Sequence, residues 1–190
     1  MRILMLGNSF TASNDLPQRL AQLTGAEVMV HTRGGARLAE QLNPRTKLGA
    51  KTKAALEGEP WDFAILQEMS HGPISSPQSF FNSVERLCEW IRAKGATPVL
   101  FATWAYEKGG AKLAAKSWNY EDMARQLSAA YRQAAQENHA LLAEVGQRFY
   151  DLSPTHPLYA ADGVHPNEEG TQLAAEVLAE TILTHKELTP

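Results

Sequence analysis

The chain has 190 residues, one cysteine, and 18 Lys and Arg against 21 Asp and Glu, which gives a formal net charge of −3. This length predicts a single domain over residues 1–190, and one cysteine excludes an internal disulfide. No cluster of basic residues stands out that would neutralise a run of phosphates, so nucleic acid is not an expected partner.

Hydrophobic runs in the sequence are short and suggest neither a membrane anchor nor a leader. No stretch approaches the roughly 20 apolar residues of a membrane span, so we expect no membrane-spanning segment. The apolar opening is too short for a signal peptide and has no cleavage-like pattern, which predicts a cytoplasmic protein. A secreted protein whose leader had been removed would look the same.

Short apolar runs alternate with amphipathic stretches along the chain. The runs typical of buried strands are residues 2–6, 26–31, 63–66, 97–102 and 141–145. Three- and four-residue spacing of apolar side chains predicts helices near residues 16–25, 36–58, 78–93, 120–134 and 173–182. Strands separated by helices form parallel sheets, and right-handed crossovers favour an open, doubly wound one. The predicted fold class is α/β: a three-layer α/β/α sandwich around a flavodoxin-like, five-stranded parallel sheet.

In such sheets the ligand binds beyond the carboxyl ends of the strands. The segments that leave these ends are Gly7-Asn8-Ser9, Arg33-Gly34-Gly35, Gln67-Glu68-Met69-Ser70 and Thr103-Trp104. The sequence therefore predicts a site at this edge of the sheet.

The Gly7-Asn8-Ser9 turn has three interpretations. Ser9, Thr11 and nearby polar side chains could bind a phosphate at the start of a helix, as in flavodoxins. Ser9 could be a nucleophile, or a hydroxyl here could simply cap the first helix. No glycine-rich nucleotide-binding fingerprint or P-loop supports the phosphate site.

A stretch near the other end, Asp162-Gly163-Val164-His165, favours the nucleophile. Gly163 permits a tight turn in which the Asp162 carboxylate reaches the Nδ1–H of His165. The imidazole then keeps Nε2 free to take a proton from a serine hydroxyl, which is the task of His and Asp in a hydrolase triad. An ordinary Asp-Gly turn is the alternative, but it leaves the combination with Ser9 unexplained.

These stretches together resemble the SGNH hydrolase family, also called GDSL-type esterases and lipases. Gly7-Asn8-Ser9 matches the block that carries the nucleophile, and Gly34-Gly35 stands where the second block has an oxyanion-hole glycine. Asp162-Gly163-Val164-His165-Pro166 matches the last block, and the resemblance extends from residue 3 to about residue 175. The serine lies at the start of the chain and outside any Gly-x-Ser-x-Gly motif, unlike in the nucleophile-elbow hydrolases.

The resemblance implies a role for each matching residue. The expected triad is Ser9, Asp162 and His165, and the expected oxyanion hole contains the amides of Ser9 and Gly35. Asn8 and Gly34 are expected to contact the substrate.

The third block departs from the family pattern. Where the family has Gly-x-Asn-Asp, with an Asn side chain that donates to the oxyanion, this chain has Leu66-Gln67-Glu68-Met69-Ser70. Gln67 carries the same amide group on a longer stem and is the candidate replacement donor, although it could equally bond neighbouring backbone. A negative charge beside an oxyanion opposes catalysis, so Glu68 is expected to point away or to pair with a cation.

The expected function is hydrolysis of a small carboxylic ester with a short acyl group, for example acetyl on a carbohydrate. Trp104 and Tyr159 are candidate substrate-binding side chains, with a packing role as the alternative. The six histidines show no two-His helical spacing, so we expect no metal and no cofactor. Two other functions stay open: a catalytically weak or inactive ligand-binding module of the same fold, and a flavodoxin-like phosphate or nucleotide binder.

Overall fold

A computed structural model describes residues 1–188 and contains one five-stranded sheet in which every strand pair is parallel. The strands are β1 (Arg2–Gly7), β2 (Glu27–Thr32), β3 (Phe63–Leu66), β4 (Thr97–Phe101) and β5 (Leu141–Ala143). Their spatial order is β2-β1-β3-β4-β5. The predicted doubly wound sheet is therefore confirmed, although β5 ends two residues before the predicted boundary.

Helices connect the strands and cover both faces of the sheet. They are α1 (Ser9–Ala12), α2 (Leu16–Thr24), α3 (Leu38–Gln41), α4 (Lys47–Gly58), α5 (Gly72–Ser75), α6 (Pro77–Ala93), α7 (Ala111–Ala115), α8 (Tyr120–Glu137), α9 (Val145–Leu152) and α10 (Glu168–Leu188). The predicted helix over residues 36–58 is split into α3 and α4. None of these helices within residues 1–188 has both the length and the apolar character needed to cross a membrane.

Alternation of side chains along the strands produces a core on each face of the sheet. In β1, Ile3 and Met5 pack with α2 and α10, whereas Leu4 and Leu6 pack with α4 and α6. All four side chains are fully buried. Because both faces are covered, the strands are almost continuously apolar, and each fully buried side chain of this size contributes about 1.5–3 kcal/mol.

The start of α10 lies against the chain segment that precedes the Asp162 turn. The backbone amide of Asn167 donates to the Leu158 carbonyl at 3.0 Å, and Asn167 Oδ1 accepts from the Gly170 amide at 2.9 Å. A β-carbon added to Gly170 would lie 2.2 Å from the Leu158 oxygen. Gly170 is thus the residue that lets α10 approach this segment.

Substituting Gly170 should test this close approach. We expect Gly170→Ala to lower the free energy of unfolding by about 1–3 kcal/mol, because the added methyl group overlaps a backbone oxygen. Gly58→Ala is the matched control, since Gly58 ends α4 with open space around it and gains helix propensity. Urea unfolding measures both, and equal stability of the two variants would contradict the expectation.

Candidate active site

Ser9 follows β1 directly and is the first residue of α1. The preceding residue, Asn8, caps this short helix: its Oδ1 accepts from the Phe10 amide at 3.1 Å. Asn8 Nδ2 donates to the Ala36 carbonyl at 3.0 Å, which ties the turn to the loop that follows β2. Asn8 is only 3% exposed. The predicted substrate contact of Asn8 is therefore not supported by its side chain, because both of its polar atoms bond protein groups.

The loop after β2 lies beside this turn. Gly34 and Gly35 are exposed, so a bound molecule can reach both residues. Gly35 has a φ of 67°, a conformation that glycine adopts readily and other residues rarely do. Ala36, the next residue, is the one held by Asn8. The Asn8–Ala36 bond thus ties the residue after the two glycines to the turn before α1, and the roles of Gly34 and Gly35 stay predictions.

Asp162 and His165 form a tight hydrogen-bonded turn before α10. Asp162 Oδ1 accepts from the amides of Val164 at 3.0 Å and His165 at 2.9 Å, while Asp162 Oδ2 lies 2.6 Å from His165 Nδ1. Gly163 has a φ of 66°, which allows the chain to reverse. Partial burial acts to raise the pKa of Asp162, but these hydrogen bonds outweigh it and lower the pKa to about 2. The carboxylate is therefore ionised at neutral pH.

The His165 ring reaches across to the first turn of the chain. Its Nε2 lies 2.9 Å from Ser9 Oγ, so Ser9, His165 and Asp162 form one hydrogen-bonded row. Phe10 meets the imidazole edge-on at 5.4 Å between ring centroids. The Asp162 and His165 side chains are 44% and 39% exposed, and Ser9 is half-buried. The three residues predicted as a triad thus meet at an open surface.

Trp104 packs inside the protein and bonds the turn that contains Asp162 and His165. Its ring stacks between Phe10 at 4.6 Å and Phe149 at 4.1 Å, and its Nε1 donates to the Val164 carbonyl at 3.0 Å. With 1% exposure it cannot receive a substrate. The predicted substrate-binding role of Trp104 is wrong, and the packing alternative holds.

Tyr159 has a similar supporting role. Its hydroxyl donates to the Ala105 carbonyl at 2.9 Å, and the residue pairs with Pro166 in an isolated antiparallel bridge. Burial raises the pKa of its hydroxyl, consistent with a neutral donor. The expected substrate contact by Tyr159 is not supported, because its polar atom already holds the segment after β4.

Gln67 is fully buried beneath the Ser9 turn. Its Oε1 accepts from the Asn8 amide at 3.0 Å and from Thr11 Oγ1 at 2.9 Å, and its Nε2 donates to the Glu68 carbonyl. The two donors to Oε1 and the acceptor from Nε2 fix the orientation of the amide. The predicted oxyanion-hole role of Gln67 is therefore not supported: the side chain is fully buried, its Nε2 donates to the Glu68 carbonyl, and its Oε1 braces the turn that carries Ser9.

Glu68 braces the neighbouring loop in the same way. Glu68 is 3% exposed, and its carboxylate accepts from the amides of Leu38 at 3.1 Å and Met69 at 2.8 Å. Burial raises the pKa of this carboxyl, while these two amides act in the opposite direction. Glu68 thus points into the protein, as expected, and holds the start of α3. Its role as a brace was not predictable, because the sequence shows only a polar residue after a strand.

Three observations on residues 1–188 bear on other kinds of site. No group of three or more His, Cys, Asp and Glu side chains in this part of the chain could hold a metal ion. A cavity of about 450 Å³ lies between α8 and α9, but neither Ser9 nor His165 lines it. The hydroxyls of Thr11 and Ser13 donate to Gln67 and to the Ser9 carbonyl, so they are not presented to a phosphate.

Comparison with known proteins identifies the family. The chain matches the model of the GDSL-like lipase/acylhydrolase family over residues 5–173. It belongs to this family of hydrolases. No curated protein matches it.

Solved structures show the same fold. A protein from Slackia heliotrinireducens, provisionally named an SGNH hydrolase, is 52% identical with a TM-score of 0.91, and the alignment covers 96% of this chain and 98% of that one. A DUF4886 family protein from Bacteroides uniformis is 20% identical with a TM-score of 0.76, covering 97% and 83%. An acetylxylan esterase from Geobacillus stearothermophilus is 12% identical with a TM-score of 0.68, covering 95% and 93%. At these lower identities the likeness extends to the fold alone.

The bracing role of Gln67 can be tested by removing its amide. We expect Gln67→Leu to destabilise the protein by about 1–3 kcal/mol for each group left buried without a partner, chiefly the Asn8 amide and the Glu68 carbonyl. Gln126→Leu on the exposed face of α8 is the control, with an expected change within about 0.5 kcal/mol. Chemical denaturation measures both variants. An equally small effect at the two positions would argue against a brace.

Proposed function

We propose that this hydrolase cleaves carboxylic esters through an acyl-enzyme on Ser9, with His165 as general base and acid and Asp162 as its orienting carboxylate. The observation that carries the proposal is the 2.9 Å contact between Ser9 Oγ and His165 Nε2, continued by the 2.6 Å contact to Asp162. A serine, an imidazole and a carboxylate in this order are the parts of a serine-hydrolase triad, whatever the fold.

Acylation begins when Ser9 Oγ attacks the carbonyl carbon of the ester and His165 Nε2 takes the hydroxyl proton. The imidazolium that results is stabilised by Asp162, which is ionised because its pKa lies at about 2. The tetrahedral intermediate collapses with cleavage of the bond to the leaving oxygen, and His165 returns the proton to that oxygen. The products of this half-reaction are a free alcohol and acyl-Ser9.

Deacylation repeats these steps with water. His165 takes a proton from a water molecule, whose oxygen attacks the acyl carbon, and then protonates Ser9 Oγ as the acid leaves. Water thus supplies both the hydroxyl group of the acid and the proton that restores the serine.

We assign the oxyanion hole to the backbone amides of Ser9 and Gly35. Ser9 is the first residue of α1, and an amide at that position has no acceptor within its helix. Gly35 belongs to the exposed loop that Asn8 ties to the same turn through Ala36. Gln67 is not included, since its amide is bonded to Glu68. Backbone donors whose segments are tied together by a hydrogen bond need little reorganisation during the reaction.

The proposed substrate is a small ester with a short acyl group. The partly exposed His165 and Asp162 and the neighbouring exposed glycines favour a shallow site over a long acyl-chain tunnel. An acetylated carbohydrate is the first natural class to test, because a structural neighbour is an acetylxylan esterase. Trp104 is buried, so sugar stacking on that ring is not part of the proposal.

Covalent labelling tests the nucleophile. We expect a fluorophosphonate to add once to the protein, and Ser9→Ala and His165→Ala to abolish the adduct, because one removes the nucleophile and the other its base. Their kcat for ester hydrolysis should fall by about 10⁴ to 10⁶. Intact-protein mass and steady-state kinetics are the measurements.

The matched control is Ser79→Ala, which removes an exposed serine from α6. It should be labelled like the unsubstituted protein. Labelling that survives in folded Ser9→Ala would refute Ser9 as the nucleophile. A folded, unsubstituted protein without any adduct or turnover would instead identify a ligand-binding module of the same fold.

Acyl-chain length tests the substrate class. We expect kcat/KM to fall from p-nitrophenyl acetate through butyrate to octanoate, since the shallow site gives a long chain little apolar surface to bury. Release of acetate from an acetylated xylooligosaccharide tests the carbohydrate substrate directly. A rising series would show that the site accommodates long acyl groups and that the short-acyl preference is wrong.

A further inference from the structure

Asn14 links the two parts of the chain that carry Ser9 and His165. It lies in the 3₁₀ turn Ser13–Asp15 that directly follows α1. Its Nδ2 donates to the Pro166 carbonyl at 2.9 Å and to Thr171 Oγ1, also at 2.9 Å. Pro166 is the residue after His165, so the Asn14 side-chain amide holds the backbone one residue beyond the histidine.

The backbone of Asn14 adopts a left-handed conformation that residues other than glycine rarely adopt. Its φ is 47° and its ψ is 39°, and the following residue, Asp15, has a φ of 58°. Asn and Asp tolerate this left-handed region better than most residues, but two in succession are unusual. Such local strain persists only where the surroundings hold it, and it is concentrated at functional sites.

The surroundings of Asn14 fix its position on both sides. Arg19 Nε donates to the Asn14 carbonyl at 2.9 Å, and Arg19 Nη1 donates to Gln172 Oε1 in α10 at 3.0 Å. On the other side, the acceptor Thr171 is fully buried. The Asn14 side chain is therefore held at the junction between the end of α1 and the start of α10.

We propose that Asn14 is a positioning residue that sets His165 at reacting distance from Ser9; this rests on the function proposed above. Asp162 and His165 belong to one short turn and keep their contact by local bonds. The contact of His165 with Ser9 instead spans 156 residues and depends on links between separate elements. Asn14 provides such a link next to the histidine.

Other contacts also hold the Asp162–His165 turn, so substituting Asn14 should affect the rate of the reaction more than the fold. Trp104 and Glu107 hold the Val164 and Gly163 carbonyls from the opposite side, and α10 packs on α2. The fold should therefore survive loss of the Asn14 amide. The distance from Ser9 Oγ to His165 Nε2, by contrast, should change. A displacement of about 1 Å at a reacting pair can lower the rate by a factor of about 100.

The test uses two substitutions at this position. Asn14→Gly suits the left-handed backbone and removes the side chain, and Asn14→Asp keeps the size but cannot donate to the Pro166 carbonyl. For both we expect kcat and the rate of fluorophosphonate labelling to fall about 10- to 100-fold, with little change in KM. His139→Gly is the matched control: it also replaces a residue of positive φ, in the exposed turn after α8, and should leave both rates unchanged.

The outcomes separate this proposal from the function on which it rests. Absence of labelling and turnover in the folded, unsubstituted protein refutes the proposed function itself. A labelled, active protein in which folded Asn14→Gly or Asn14→Asp reacts at the unsubstituted rate refutes the positioning role. A rise in KM with unchanged kcat also refutes it, because that pattern indicates a substrate contact. Slower labelling with unchanged KM in both variants, but not in His139→Gly, supports it.

Discussion

The contact between Ser9 Oγ and His165 Nε2 is the interaction on which the whole site depends. Its two atoms are 2.9 Å apart and come from opposite ends of the chain. No local interaction can create such a contact, so the packing of strands and helices in the folded domain must bring the two residues together. Ser9 leaves the end of β1, beside the central β3, and His165 precedes the helix that packs on the same face as α2.

The Gln67-Glu68 pair shows how polar side chains can serve a site without facing it. Both residues follow the central strand β3 and are buried, yet their polar atoms bond backbone groups of the two neighbouring loops. Gln67 holds the turn after β1, and Glu68 holds the loop after β2. Since buried polar groups need partners, each brace is stable only with the loops in place. This pair occupies the block where the chain departs from the family pattern.

Aromatic packing supports the other half of the site. Trp104 stacks between Phe10, which follows Ser9, and Phe149 of α9, and it also bonds the turn that ends in His165. A single buried ring thus contacts both elements that carry the proposed reacting groups. These contacts restrain the ring, which suits a site whose groups must be held to a fraction of an ångström.

The sequence by itself determined the five strands, their parallel sheet, the longer helices between them, and the candidates Ser9, Asp162 and His165; shorter helices such as α7 and α9 were not predicted. The sheet follows from hydrophobic periodicity, and the Asp162–His165 pair follows from a turn whose residues bond within three positions; both are local properties. Ser9 is singled out by its place after the first strand together with the resemblance of these motifs to a known family. Only the tertiary structure decided the roles of Asn8, Gln67 and Trp104, and it alone placed Asn14 beside Pro166. A polar or aromatic side chain at the end of a strand can face the site or the interior. Its orientation depends on which donors, acceptors and rings distant segments bring near it, and the local sequence does not specify those contacts.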